Sequence, residues 1–296
     1  VMLAALESGL VSPERPVFCL GKVRLGNRNF HCWKRRGHGA MNMRDALKNS
    51  CDSYFYEVAQ IVGIEKIADM ARRLGLGQTY DLGITGQQSG IVPDPEWKQR
   101  RLGTAWREGD TLNTSIGQGF TLTTPLQLAV MCARLANVKK AVSPTLLIGD
   151  DIQDFPDLSI NPEHLAFVRE AMWGVCSELG GTAYRYNGLG IKGVDIAGKT
   201  GTGQVRGISA SERDSGVRKN NKLPWKLRDH SIFVGFAPYD KPRFAIGTIV
   251  EHGGSGSKRA ANITRAVMSE ALKRDGLGQP ETSKDEGSVN PAGQEL

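Results

Sequence analysis

The sequence predicts a mixed α/β (α+β) fold: an antiparallel sheet flanked by helices, joined to an all-helical subdomain. Three observations carry this expectation. Helical patterns separated by glycine stops recur as far as Gly180-Gly181, three β-rich runs then follow close together, and a last helical stretch ends the patterned region.

Met2, Leu3, Leu6 and Leu10 recur at helical spacing around a stop at Gly9, so the chain reads as opening inside a helix. Residues 11–43 are rich in Gly, Pro, Arg and Cys and contain the alternating run Val17-Phe18-Cys19-Leu20, which predicts a hairpin or irregular excursion. Short helices are expected at 42–48, 53–62 and 64–74, ended by Gly63, Gly75 and Gly77. Residues 78–123 read mostly as loop, punctuated by Pro93-Asp94-Pro95 and Gly117-Gln118-Gly119. Thr124-Pro125 supplies an N-cap and an N1 proline for a helix to Leu135, with Leu126, Ala129, Val130 and Ala133 on its apolar face. Asn161-Pro162 starts another that turns Leu165, Val168, Met172 and Val175 inward. Strands are expected at 193–202, 231–237 and 244–250, with a polar insertion, 203–229, too long for a hairpin turn. A closing helix at 257–273 leaves one folded domain, 1–273, and a polar, disordered tail, 274–296.

Composition bounds the function classes. The 296 residues are 40% apolar and 23% charged, which excludes a disordered or fibrous chain. No apolar run approaches the ~18 residues that span a bilayer. The net charge of +7 comes from clusters such as Lys34-Arg35-Arg36, 98–101 and 218–226, interspersed with acids and without interleaved aromatics. These read as solvated faces and not as a nucleic-acid stripe, though a mild positive field also suits an anionic polymer or membrane surface.

Two motifs carry chemistry. Ala197-Gly198-Lys199-Thr200-Gly201-Thr202-Gly203 ends a strand with an ammonium and two hydroxyls, and Gly201 leaves room for an extended, carboxylate-bearing ligand against the backbone. Ser50-Cys51-Asp52 sits between two short helices, where a hydroxyl and a carboxylate two residues apart can serve as proton relay and orienting acceptor. The plainer alternative is that Ser50 or Asp52 only caps the following helix.

Of five cysteines, Cys132 and Cys176 fall in apolar helical patterns and read as core. Cys19, Cys32, His38 and Cys51 follow one another at spacings of 13, 6 and 13 residues. Three thiolates and an imidazole would complete a tetrahedral zinc shell, with His31 as substitute for His38. A Cys19–Cys32 disulfide with Cys51 buried is the alternative.

Together the motifs resemble the transpeptidase domain of class B penicillin-binding proteins of the elongation type. In that family a Ser-x-x-Lys nucleophile, a Ser-x-Asn or Ser-x-Asp turn and a Lys-Thr-Gly strand meet in one cleft. The resemblance extends through 53–59, 90–106, Gly109-Asp110-Thr111, Gly117-Gln118-Gly119 and 223–230, and covers about residues 1–273. It implies a penicillin-binding transpeptidase or serine β-lactamase-like fold, here expected to be incomplete at the N-terminus. The family's nucleophile would lie just upstream of Val1. Ser255-Gly256-Ser257-Lys258 fits the pattern but follows the last strand, out of the family's order, and reads as a loop.

The resemblance implies a peptidoglycan D,D-transpeptidase that acts through an acyl-serine and is acylated by β-lactams. Ser50 would pass a proton to the leaving D-Ala of a D-Ala-D-Ala stem peptide, with Asp52 in the place of the commoner Asn. Lys199 would support that relay, and Thr200 and Thr202 would bind the substrate carboxylate along Gly201. The Thr202 N–H would join the oxyanion hole. The resemblance also implies a structural metal beside the turn, which favours zinc on Cys19, Cys32, His38 and Cys51. It further implies an inner-membrane protein with its catalytic domain in the periplasm, working with a glycan polymerase of the elongation machinery. The alternatives are a serine β-lactamase-like hydrolase and a non-catalytic module of the same fold.

Overall fold

The computed structural model describes residues 1–147, 154–186 and 188–277. Helix α1 (Met2–Ser8) buries Met2 through Leu6 and closes on Gly9. The excursion that follows is two antiparallel ribbons: β1 (Val17–Cys19) pairs with β4 (Gly39–Met41), and β2 (Lys22–Leu25) pairs with β3 (Arg28–His31). Val17 and Cys19 point inward and Phe18 faces solvent, as a two-residue period demands. Gly37 is required where the chain folds back: its φ is +77°, and a Cβ there would stand 2.0 Å from Cys19 O.

Three short helices come next, α2 (Met43–Asn49), α3 (Asp52–Val62) and α4 (Ile64–Arg73). Asn42 Oδ1 caps α2 by accepting from Asp45 N at 2.8 Å. The loop expected over 78–123 instead contains α5 (Pro95–Leu102) and α6 (Glu108–Ser115). Neither has a clean apolar stripe, so periodicity missed them. Asp94 caps α5 through Trp97 N at 2.7 Å. α6 is held by Asp110, whose Oδ2 accepts from Arg107 N at 2.8 Å and from Lys98 Nζ at 2.6 Å. Lys98 is therefore buried, and 98–101 is not the uniformly solvated cluster the sequence suggested.

Helix α7 (Pro125–Asn137) begins with the expected cap, where Thr124 Oγ1 accepts from Gln127 N, and α8 (Pro162–Ser177) begins at Asn161. Strand β5 (Ala197–Gly203) starts later than the sequence suggested, because residues 191–194 close a turn through Val194 N and Ile191 O. The insertion after it holds a short helix, α9 (Ala210–Ser215). It returns as β6 (His230–Ala237), which pairs with β7 (Phe244–Val250). The closing helix α10 (Ala260–Arg274) starts after a turn at 255–259, three residues later than expected, and runs to Arg274. Beyond Leu277 the expected tail lies outside the described residues.

The sheet order is β5-β6-β7, all antiparallel, with Lys199 opposite Val234. α8 and α7 pack on one side, joining Leu165, Val168, Met172, Val234 and Phe236 to the helical subdomain. α10 covers the other side, over Phe233, Met268 and Leu272. Gly198 is dictated by this packing: a Cβ would stand 2.3 Å from the Phe233 ring. Cys132 and Cys176 are buried, as expected of core residues.

Candidate active site

A cleft of about 1840 Å³ opens between the edge strand β5, the α2–α3 turn, the end of α6 and the β2–β3 ribbon. Ser50, Asp52, Lys199, Thr200, Gly201 and Thr202 all line it, so the two motifs do meet. Lys199 Nζ donates to Ser50 Oγ at 2.8 Å and to Thr200 O at 2.9 Å. Burial lowers the Lys199 ammonium to about 8.

The α2–α3 turn has an unusual backbone. Ser50 is left-handed, with φ of +55°, a conformation costly for a residue with a Cβ. A residue that sequence reasoning missed holds it there. Trp33 Nε1 donates to Ser50 O at 2.9 Å and to Asn49 O at 3.2 Å, while Trp33 N donates to Asp52 Oδ2 at 2.8 Å. The helix-capping alternative fails, because the N-cap of α3 is Cys51 and no side chain caps that end. Burial, and after it the neighbouring Cys32, raise the Asp52 carboxyl to about 7.

Further residues extend the site. Thr182 shares a hydrogen bond with the Thr200 hydroxyl at 2.8 Å, and its N–H donates to Lys48 O at 3.3 Å. Gln118 Nε2 donates to Thr202 O at 2.9 Å. Gln118 was visible as part of a turn motif; Thr182, after Gly180-Gly181, carries no signal beyond a helix stop. Ser255, Gly256 and Ser257 line the cleft beyond Gly201, but Lys258 is not among the lining residues. Ser255-Gly256-Ser257-Lys258 is thus a loop, with Ser231 Oγ donating to Ser255 O at 2.9 Å.

Cys19, Cys32, His38 and Cys51 converge behind the same turn, their ligand atoms all within 4.8 Å of one another. All five cysteines are free thiols. His38 Nδ1 lies 3.6 Å from Cys19 Sγ and 3.5 Å from Cys32 Sγ. A tetrahedral zinc with Zn–S of about 2.3 Å and Zn–N of about 2.05 Å places S and N about 3.6 Å apart, so these donors fit the ion. The Cys51 thiol and the backbone amides of Lys34, Asp52 and Ser53 favour a thiolate on Cys32 and lower it below the ordinary thiol range. His38 Nε2 is buried without a hydrogen-bond partner, so no such bond at that atom orients the ring. His31 lies on β3, outside the cluster. Because Cys51 is the middle residue of Ser50-Cys51-Asp52, whatever binds the cluster also fixes the turn.

A Lys-Thr-Gly strand joined by a lysine hydrogen bond to a Ser-x-Asp interhelical turn is the arrangement of penicillin-recognising domains. The penicillin binding protein transpeptidase domain family matches residues 1–269, and the chain belongs to that family. The particular relatives narrow the resemblance. A peptidoglycan D,D-transpeptidase MrdA of Acinetobacter baumannii is 38% identical over 82% of this chain and 36% of its own length. Penicillin-binding protein 2 of Pseudomonas aeruginosa, solved in complex with WCK 5153, superposes with a TM-score of 0.79 at 32% identity, covering 95% of this chain and 59% of that one. Penicillin-binding protein 2 of Helicobacter pylori, solved as a complex with MreC, gives 0.80 at 33%, covering 93% and 48%. The chain spans less than half the length of the curated MrdA relatives it matches. Among the described residues no helix is long and apolar enough to cross a membrane.

Proposed function

We propose that this domain is the D,D-transpeptidase unit of an elongation-type penicillin-binding protein, cross-linking peptidoglycan stem peptides through an acyl-serine. The observation that carries the reading is the 2.8 Å hydrogen bond from Lys199 Nζ to Ser50 Oγ, which joins the two motifs across one cleft. A charged Lys199 polarises the Ser50 hydroxyl, so Ser50 can pass a proton to the departing D-Ala amine while Asp52 orients the turn. Thr200 and Thr202 bind the terminal carboxylate of the D-Ala-D-Ala donor, laid along Gly201, and the Thr202 N–H contributes to the oxyanion hole. In this reading the acylated serine comes from a Ser-x-x-Lys segment, which the family's motif order puts ahead of Ser50. β-Lactams acylate the same serine as mimics of the donor.

The cysteine–histidine cluster binds a structural zinc through Cys19, Cys32, His38 and Cys51. The ion supplies rigidity to the Ser50 turn and no chemistry of the reaction. The working protein is membrane-anchored with this domain in the periplasm. It pairs with a glycan polymerase of the elongation machinery and, like the Helicobacter pylori relative, with an MreC-type partner.

The test uses the protein together with its Ser-x-x-Lys segment and a D-Ala-D-Ala donor peptide with an amine acceptor. Mass spectrometry should find released D-Ala and a cross-linked dimer. Rapid turnover of penicillin without a dimer would mark a β-lactamase-like hydrolase and overturn the reading.

A further inference from the structure

Strand β5 lies at one edge of the β5-β6-β7 sheet, and its unpaired side forms a wall of the cleft. Within a strand the N–H and C=O of one residue point the same way, and residues two apart share that direction. Two contacts show which residues of β5 face the cleft. Thr200 O accepts from Lys199 Nζ at 2.9 Å, and Thr202 O accepts from Gln118 Nε2 at 2.9 Å. An extended peptide added along this edge needs those carbonyls for its own N–H groups, and the protein's side chains already hold both.

The two contacts differ in how firmly they are made. Lys199 belongs to β5 and is tied at a second point, where its Nζ donates to Ser50 Oγ at 2.8 Å. Gln118 reaches over from the other wall, beyond the end of α6 and 84 residues away in the chain. Among the described residues this is the one hydrogen bond of its side chain. Its backbone is anchored: Gln118 N donates to Asn113 O and Gly117 N to Thr114 O, both at 2.9 Å. The turn therefore stays in place while the long side chain is free to swing away. Gln118 is half-buried and Thr202 exposed, so water can satisfy both groups once they part.

We infer that Gln118 is a removable cap on Thr202 O, standing in the empty cleft where the donor peptide places a backbone N–H. The inference rests on the transpeptidase reading above, in which the Thr202 N–H binds the oxygen of the carbonyl under attack. In a hydrogen-bonded antiparallel pair two residues exchange both of their N–H···O bonds. The donor residue whose C=O takes the Thr202 N–H is thus the one that gives its own N–H to Thr202 O. That residue is the penultimate D-Ala, and its N–H is the group that displaces Gln118. A ligand bringing this N–H exchanges one hydrogen bond for another, whereas a ligand without it leaves Gln118 where it is. Between substrates the cap also closes an acceptor on an edge strand that would otherwise be open to pairing with other chains.

The test uses the protein with its Ser-x-x-Lys segment and two donors. One is a peptide ending in D-Ala-D-Ala; the other is its depsipeptide analogue, in which an ester oxygen replaces the penultimate N–H. Release of D-Ala gives kcat/KM for each. Removing the cap favours only the donor that uses Thr202 O, so in Gln118→Ala the amide-to-ester ratio of kcat/KM should rise about 2- to 10-fold, the range of one net hydrogen bond. A merely structural role for Gln118 would shift both donors alike and leave the ratio at its wild-type value. Gln118→Glu keeps the shape but offers no N–H, so it should raise the ratio in the same way, and it decides the matter if the alanine variant does not fold. A ratio unchanged or lowered, with the wild type acylated normally by penicillin, overturns the cap alone. A wild type that penicillin does not acylate overturns the transpeptidase reading and the cap with it.

Discussion

Replacing Cys32 by Ser should remove most of the metal affinity of the cluster and loosen the turn that carries Ser50. The four donors already lie within 4.8 Å of one another, and the two His38–Cys separations of 3.5 and 3.6 Å match a tetrahedral zinc. Little rearrangement is needed to bind. Structural zinc sites release about 10–16 kcal/mol, so one of four ligands accounts for ~3 kcal/mol, or an affinity loss of about 100- to 300-fold. Binding of this kind also stabilises the folded state: at free zinc ~1,000 times Kd the gain is about 4 kcal/mol. For a domain of this size that is a rise in Tm of roughly 8–12 °C. Protein purified under reducing conditions without strong chelators should contain one zinc per chain by elemental analysis. A chelator should lower Tm by about that amount, and Cys32→Ser should show both a weaker ion and a smaller shift. Metal-free protein with an unchanged Tm, or a Cys19–Cys32 disulfide by mass spectrometry, would refute the reasoning.

Three further outcomes follow from the geometry. Trp33→Phe keeps a ring near His38 but removes the donor to Ser50 O and Asn49 O, so acylation by penicillin should fall about 10-fold with the zinc content unchanged. A wild-type rate would leave Trp33 without a positioning role. Lys199 is lowered to about 8 and supports Ser50 in its charged form, so acylation should hold near pH 7 and decline as pH rises through 8. In Lys199→Arg, which stays charged, any residual activity should lose that alkaline limb; a limb at the same pH in both proteins contradicts the assignment. Arg44 bridges Glu170 and Glu178 between α2 and α8 and, together with Lys48, holds the Glu178 carboxyl down to about 2 from 4.5. That depression corresponds to about 3 kcal/mol, reduced to about 2 by partial exposure. It is present above pH 4.5 and lost as pH falls through 2. Urea unfolding of Arg44→Met, which leaves Lys48 on Glu178, should therefore show a deficit of about 1 kcal/mol at pH 7 that shrinks in acid; a pH-independent deficit would assign it to packing instead.

The sequence revealed the parts of this molecule whose physics is local. Thr124-Pro125 and Asn161-Pro162 announce helix starts because a cap and an N1 proline act within one turn, and both helices begin there. Val17 and Cys19 alternate with Phe18 because a strand enforces that period. Lys199 and Ser50 were readable as chemistry only as a pair of motifs that resembles a known family, because singly an exposed strand lysine and a helix-capping serine account for each. What escaped depends on tertiary partners. α5 and α6 lack an apolar stripe and are fixed by Lys98 meeting Asp110. Trp33 has no sequence marker at all, since its role exists only once the β2–β3 ribbon lies against the α2–α3 turn. The four candidate ligands were nameable as a set, but their spacings of 13, 6 and 13 become a cluster only through the fold-back at Gly37. Lys34 and Arg35 read as part of a solvated basic cluster until the fold places them in the lining of the cleft.

The central claim is that Ser50 and Lys199 form the relay of a serine acyl-transfer site. Its most direct test is labelling of the protein, with its Ser-x-x-Lys segment, by a fluorescent penicillin. The account predicts one stable adduct per chain, mapped to that serine, with a second-order rate that drops at least 100-fold in Lys199→Ala and Ser50→Ala while both variants stay folded. Labelling at the wild-type rate in either variant, or no adduct on the wild type, would contradict it.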